Sequence, residues 1–317
     1  MEAARPDDAT RITRRPIAPD PPGSVAHEDR AGHAATERPT GPAWPLGKPW
    51  PEAQPLGSGP PPDDIMIEFR DLYKSFGEKH ILRGVTMAIP KGVSTVIMGG
   101  SGTGKSVTIK HVVGLLRADK GEVWVHGENV DELSKDGLDQ LRLKIGFLFQ
   151  SGALFDSMTV YEQMDFVLKR HTDLDADGRK DRIMETLEWV NLPKTTSQYP
   201  SELSGGQRKR IGLARSIILQ PDIMVYDEPT TGLDPISVRV VSNLINRLRD
   251  ERGITSMTIT HDLLCAEMIS DHVFYLLDGV YAESGTLAEV AQSDKPEIRE
   301  FFGDEYAMMF KTVRDGA

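Results

Sequence analysis

Along the chain, short apolar runs begin to alternate with amphipathic stretches at Ile65, and no such alternation precedes that point. Residues 65–69 and 81–89 read as strands, and 95–98 is a compact apolar strand that runs straight into a glycine-rich loop. An amphipathic stretch at 107–116 follows the loop. Later apolar runs at 223–226, 255–259 and 273–277 are separated by helical patterns at 236–250 and 262–269. This is the alternation expected of parallel strands joined by crossover helices. Residues 160–220 are mostly helical in pattern, with a run at 208–219 and breaks at Pro193 and Pro200. The pattern predicts an α/β core interrupted by a helical subdomain at about 155–220.

The stretch before Ile65 changes the domain count. Of 21 prolines, 14 fall within residues 1–62, in a segment of Pro, Gly, Ala and mixed charge with almost no aliphatic periodicity. Such a segment buries too little apolar surface to offset the entropy of ordering, so residues 1–64 are expected to be a disordered extension. Trp44 and Trp50 within it read as incidental aromatics rather than docking groups. Arg14-Arg15 resembles a twin-arginine export signal, but Pro16 and the prolines at 19, 21 and 22 stand where an apolar h-region belongs. Residues 65–295 form the folded domain and 296–317 a C-terminal tail.

Charge and cysteine content narrow the function class. The chain of 317 residues carries 48 acidic and 37 basic side chains, a net charge of −11, which argues against general affinity for nucleic acid. No run approaches the roughly 18 apolar residues of a membrane span. Cys265 is the single cysteine; it forms no internal disulfide and suits a reducing compartment.

The strongest chemistry lies in Gly99, Gly100, Ser101, Gly102, Thr103, Gly104, Lys105 and Ser106, which fit G-x-x-x-x-G-K-[ST] between a strand and a helix. Glycines let backbone N–H groups and a helix N-terminus close around phosphate oxygens. Lys105 adds positive charge at the β- and γ-phosphates, and Ser106 offers a hydroxyl to Mg²⁺. A second apolar run, 223–226, ends in Asp227-Glu228. Asp227 is placed to hold the metal through water, and Glu228, one residue on, to polarise an attacking water as general base. Leu203-Ser204-Gly205-Gly206-Gln207 then precedes a helix and makes a second anion-binding nest. Either both nests contact one nucleotide, or the second serves a nucleotide held by another copy of the chain.

These residues, in this order, resemble the ATP-binding subunits of ABC transporters, over roughly residues 65–295. The resemblance adds Gln150, Asp234 in Gly232-Leu233-Asp234-Pro235, and His261. It implies a P-loop ATPase core of mainly parallel sheet, an antiparallel β-subdomain, and the helical subdomain carrying the signature Leu203–Gln207. It also implies a head-to-tail dimer in which Ser204, Gly205, Gly206 and Gln207 of one copy close over ATP on the other's lysine loop. Carried over by position, Gln150 contacts Mg²⁺ and the attacking water, His261 contacts the γ-phosphate, and Asp234 couples the two sites. Phe76 stacks on adenine, with Tyr73 as runner-up. Val107, at the end of the ATP-binding run, departs from the second hydroxyl residue that many relatives carry.

A narrower resemblance lies in residues 149–160, 227–236 and 296–303, which look like the ATPases of MCE-type (Mla-type) lipid transporters. It implies a peripheral subunit on the cytoplasmic face of the inner membrane, working with an integral-membrane permease and an MCE-domain lipid-binding protein on phospholipid or another hydrophobic cargo. Phe155, Met158 and Tyr161 stand where such subunits receive the permease's coupling helix, and a buried apolar cluster has the same pattern. Other ABC importers, exporters, mechanical or signalling ATPases and nucleic-acid-associated ATPases are the competing readings. Against the last stand a single lysine loop, no sustained heptads between Lys105 and Ser204, and the acidic charge.

Overall fold

The computed structural model describes residues 49–303 and residue 306. Arg14, Arg15 and Trp44 lie outside the described residues, as do most residues after 303. Strands β1 (Ile65–Phe76), β2 (Lys79–Pro90), β4 (Lys120–Val125) and β5 (Glu128–Asn129) form an antiparallel sheet in the order β2-β1-β4-β5. The second sheet is built from β3 (Ser94–Met98), β6 (Ile145–Leu148), β7 (Ile223–Asp227), β8 (Thr255–Ile259), β9 (His272–Leu277) and β10 (Val280–Gly285), in the order β10-β9-β3-β8-β7-β6. It is parallel except for the β9–β10 hairpin.

Each central strand has side chains buried on both faces, as a covered parallel sheet requires. On one face Val96, Met98, Met224 and Tyr226 pack with helices α3 (Val160–His171), α4 (Ala176–Trp189), α5 (Gly205–Ile217), α6 (Pro235–Arg252) and α7 (Leu263–Ile269). On the other, Ile97, Ile223, Val225 and Ile259 pack with α1 (Lys105–Val112), α2 (Lys135–Leu143) and the antiparallel sheet. The two-residue period of these strands therefore sorts the domain into two cores. Helices α3 to α5 supply the helical subdomain, and α5 begins at the signature, three residues earlier than its apolar pattern suggested.

Two boundaries differ from the sequence reading. Residues 49–64 form a strap over β1, and β1 explains why. Ile67 and Phe69 face the core, while the alternate residues Glu68 and Arg70 form an ion pair that is almost wholly buried. Strap groups complete its hydrogen bonding: Gln54 N–H donates to Glu68 at 2.6 Å, and Arg70 donates to the Gly59 carbonyl at 2.7 Å and to Gln54 Oε1 at 2.9 Å. Trp50 anchors the strap. Its ring stacks on His272 at 3.9 Å, and its indole N–H donates to the Ala88 carbonyl at 2.9 Å. The expectation of disorder fails here because the strap is held by polar contacts and one aromatic ring, which aliphatic periodicity does not register. At the other end, α8 (Leu287–Ala291) and α9 (Pro296–Phe302) dock on the core, with Ile298 and Phe302 buried, so the tail begins after a packed helix.

Candidate functional site

Four parallel neighbours, β3, β8, β7 and β6, end at the same edge of the sheet. Asp227 lies opposite Ile259 in register, Leu148 opposite Tyr226, and Ile97 opposite Ile259. Sequence adjacency then places the glycine loop after Met98, His261 after Ile259, Asp227-Glu228 at the end of β7 and Gln150 after Leu148. At about 4.8 Å per strand, residues more than 150 positions apart converge within roughly 15 Å. Such carboxyl edges are where ligands bind in open α/β sheets.

The loop folds tightly before α1. Gly104 caps the helix at φ 110°, a left-handed backbone, and a Cβ there would press on Ile81 Cγ2 at 3.0 Å. Lys105 Nζ donates to the carbonyls of Gly99 at 2.8 Å and Gly100 at 2.7 Å, and Thr103 donates to Gly100 at 3.0 Å. Burial pulls the Lys105 pKa below its ordinary value, while the charges of Glu228 and Asp227 act to raise it. Burial and the neighbouring Glu228 charge raise the Asp227 pKa, while the nearby Ser106 side chain acts to lower it. Val107 is partly buried against the second core.

Glu228 is the most constrained residue of the site. It has φ 51°, a left-handed conformation costing a non-glycine residue on the order of 1–3 kcal/mol. Contacts on every side hold it there. Its N–H donates to the Ile259 carbonyl at 2.9 Å, Thr231 donates to Oε2 at 3.0 Å, and His261 Nδ1 lies 2.9 Å from Oε1. An ionised carboxylate only accepts, so the Nδ1 proton belongs on the imidazole.

The remaining candidates take up simpler surroundings. Phe76 is half exposed at the end of β1 with Lys74 Nζ 5.7 Å from its ring centre, whereas the Tyr73 ring is covered by Lys120 at 4.7 Å. Ser204 and Gln207 form a reciprocal capping box at the start of α5. Asp234 caps α6, accepting from the N–H groups of Ile236 and Ser237 at 3.0 Å and the Ser237 hydroxyl at 2.6 Å; these bonds lower its pKa. Gly206 lies against Ser237, so the signature neighbours that cap. Phe155 is exposed, Phe166 is exposed beside a hollow lined also by Met158, Glu162 and Asp165, and Tyr161 packs against the first core.

Sequence reasoning missed three residues that touch this machinery. Thr231 holds Glu228, Lys209 on α5 donates to the backbone of Gln150 and of Glu228, and Arg215 grips the loop after Gln150. Lys209 lies in an Arg-Lys-Arg run, where nothing in the sequence distinguishes a buried cation from its neighbours.

Comparison with known proteins agrees with this arrangement. The family model described as "ABC transporter" matches residues 82–231. The chain is 38% identical over 245 residues to the probable ribonucleotide transport ATP-binding protein mkl of Mycobacterium leprae, covering 77% of this chain and 71% of that one. It is 35% identical to the intermembrane phospholipid transport system ATP-binding protein MlaF of Escherichia coli K12, covering 74% and 88% respectively. Among solved structures, a dimeric ATP-binding cassette in a post-hydrolysis state bound to ADP and Pi superposes with a TM-score of 0.64 at 30% identity, over 70% of this chain and 99% of that one. With the lysine loop, the paired carboxylates, the glutamine and the histidine gathered on one sheet edge, the chain belongs to the ABC transporter family, as an ATP-binding, ATP-hydrolysing subunit.

Proposed function

We propose that this ATPase drives a lipid transporter, moving phospholipid through a separate membrane permease and an MCE-domain lipid-binding protein from a peripheral position on the cytoplasmic face of the inner membrane. The lipid reading is supported by the likeness to the phospholipid-transport relative, which this chain nearly spans, and by the 149–160 and 296–303 segments. Among the described residues no helix is long and apolar enough to cross a membrane, so the proposal assigns the span to another chain.

The chemistry follows from the Glu228 cluster, the observation that carries the reading. Gly99, Gly100, Ser101, Gly102, Thr103, Gly104, Lys105, Ser106 and Val107 wrap the phosphates, with Lys105 exchanging its loop carbonyls for phosphate oxygens, and Phe76 supports adenine. The Ser106 hydroxyl, the Asp227 carboxylate and the Gln150 amide form an all-oxygen donor set of the kind Mg²⁺ takes alongside phosphate. When bound, the ion would neutralise negative charge on the phosphates. Glu228 takes the proton of the attacking water, with its carboxylate fixed by Thr231 and His261. In the dimer, Ser204, Gly205, Gly206 and Gln207 of one copy cover the nucleotide of the other, and Asp234 links the two sites. The dimeric ADP-bound neighbour supports that assembly.

Glu228→Gln is expected to bind ATP and accumulate as a closed dimer, with kcat lowered at least about 100-fold. Full turnover would remove Glu228 from this role. Mass spectrometry of the detergent-purified complex tests the cargo. A polytopic permease, an MCE protein and bound phospholipid are the expected components, whereas bound ribonucleotide cargo would favour the activity named for the mycobacterial relative.

A further inference from the structure

Helix α5 carries two cations that grip the loop containing Gln150. Lys209 is 6% exposed, and its ammonium donates to two backbone carbonyls, that of Gln150 and, at 2.9 Å, that of Glu228. Six residues on, about 9 Å along the helix, Arg215 donates to the carbonyls of Gly152 at 3.2 Å and Ala153 at 2.8 Å and to Gln163 Oε1 at 3.3 Å, and lies over the Phe155 ring at 5.6 Å. The loop is therefore clamped to one rigid element at two points, and Lys209 also joins it to Glu228.

A buried ammonium is an expensive way to fill space, since an aliphatic chain of the same length avoids desolvation altogether. Its value here lies in geometry. The Glu228 carbonyl belongs to a residue in left-handed conformation, and that backbone angle sets where the carboxylate points. Besides Lys209, the carbonyl accepts one longer bond, from the Thr231 N–H at 3.4 Å, so loss of the ammonium leaves it with that weaker contact alone among the described residues, while the Thr231 hydroxyl and His261 hold the carboxylate end.

We infer that Lys209 is a positioning residue for Glu228, holding its backbone in register with that of Gln150 so that displacement of the 150–155 loop misaligns the carboxylate. This rests on the reading of Glu228 as the group that polarises water. Its ammonium donates to two backbone carbonyls, so Lys209 acts through Glu228.

The test is steady-state ATPase activity and ATP binding of the full chain, in the assembly in which it is active, for Lys209→Met, Lys209→Arg and Lys209→Gln. Misplacement of a reacting group by about 1 Å costs on the order of 100-fold. Lys209→Met is accordingly expected to lower kcat by about 30- to 100-fold with KM for ATP within about threefold. Lys209→Arg, which still donates to both carbonyls, should recover kcat to within about fivefold of wild type. Should the Met variant fail to fold, Lys209→Gln, whose shorter amide reaches one carbonyl, should lose about tenfold in kcat at unchanged KM. A kcat within twofold of wild type in the folded Met or Gln variant, or a parallel loss of binding and turnover, overturns the inference. Glu228→Gln measured alongside separates the two readings: full activity there defeats the water-polarising role, whereas loss there with an unaffected Lys209→Met defeats the Lys209 role alone.

Discussion

Acidification should expose the one imidazole on which the strap rests. His272 is buried beneath Trp50, its Nε2 has no hydrogen-bond partner among the described residues, and burial depresses its pKa from 6.5 to about 4, with Glu289 acting weakly the other way. Above pH 6.5 the ring is neutral in both folded and unfolded chains. Between 6.5 and 4 the unfolded chain binds a proton that the folded chain refuses, so stability falls as pH falls; below 4 both forms are charged and the loss stops. Each pH unit in that window is worth about 1.4 kcal/mol, so the full loss is about 3 kcal/mol. Urea unfolding of wild type and His272→Phe across pH 7.5 to 3.8 isolates this contribution, since the carboxylates titrate in both proteins. The Phe variant keeps the stacked ring and should gain about 3 kcal/mol relative to wild type on going from pH 7 to 4, with a flat difference above 7. Parallel curves would refute the assignment. Trp50→Ala uncovers the imidazole and should shrink the pH-dependent difference, because the folded-state pKa then moves back toward 6.5.

Two further substitutions test the scaffold. Gly146 in β6 has the Met224 sulfur and, at 2.6 Å, the Ser216 carbonyl where a Cβ would sit; Gly146→Ala should destabilise by about 2–3 kcal/mol in urea unfolding, and an unchanged midpoint would contradict this packing. Arg249 pairs with Asp250 at 2.8 Å and with Asp271 at 3.1 Å, all three largely buried, so Arg249→Met strands two carboxylates and should cost about 3 kcal/mol at pH 7. An unchanged urea midpoint would contradict this pairing.

The parts of the fold legible in the sequence were those whose signal is local. Residues 95–98, the glycines that follow and Lys105-Ser106 announce strand, loop and helix in one stretch, and the apolar runs at 223, 255 and 273 mark three further strands of that sheet but not their order in it. β4 and β10 escaped notice because residues such as Lys120, Glu122 and Glu283 break the apolar run, and their pairing is supplied by β1 and β9 rather than by their own composition. Gln150, Asp227 and His261 were named from pattern and resemblance, but their convergence depends on register between strands. Lys209 was illegible for the same reason: its partners are carbonyls 59 and 19 residues away, and a carbonyl has no sequence signature.

The left-handed backbone at Glu228 has a consequence for how this chain can change over time. The conformation is one that glycine adopts freely, so the fold would be easier to build with a residue that has no carboxylate. Mutational drift toward stability and retention of turnover therefore pull in opposite directions at this position. The carboxylate is maintained against the local preference of the backbone, and a descendant released from ATP hydrolysis would be expected to lose it early and grow more stable in doing so.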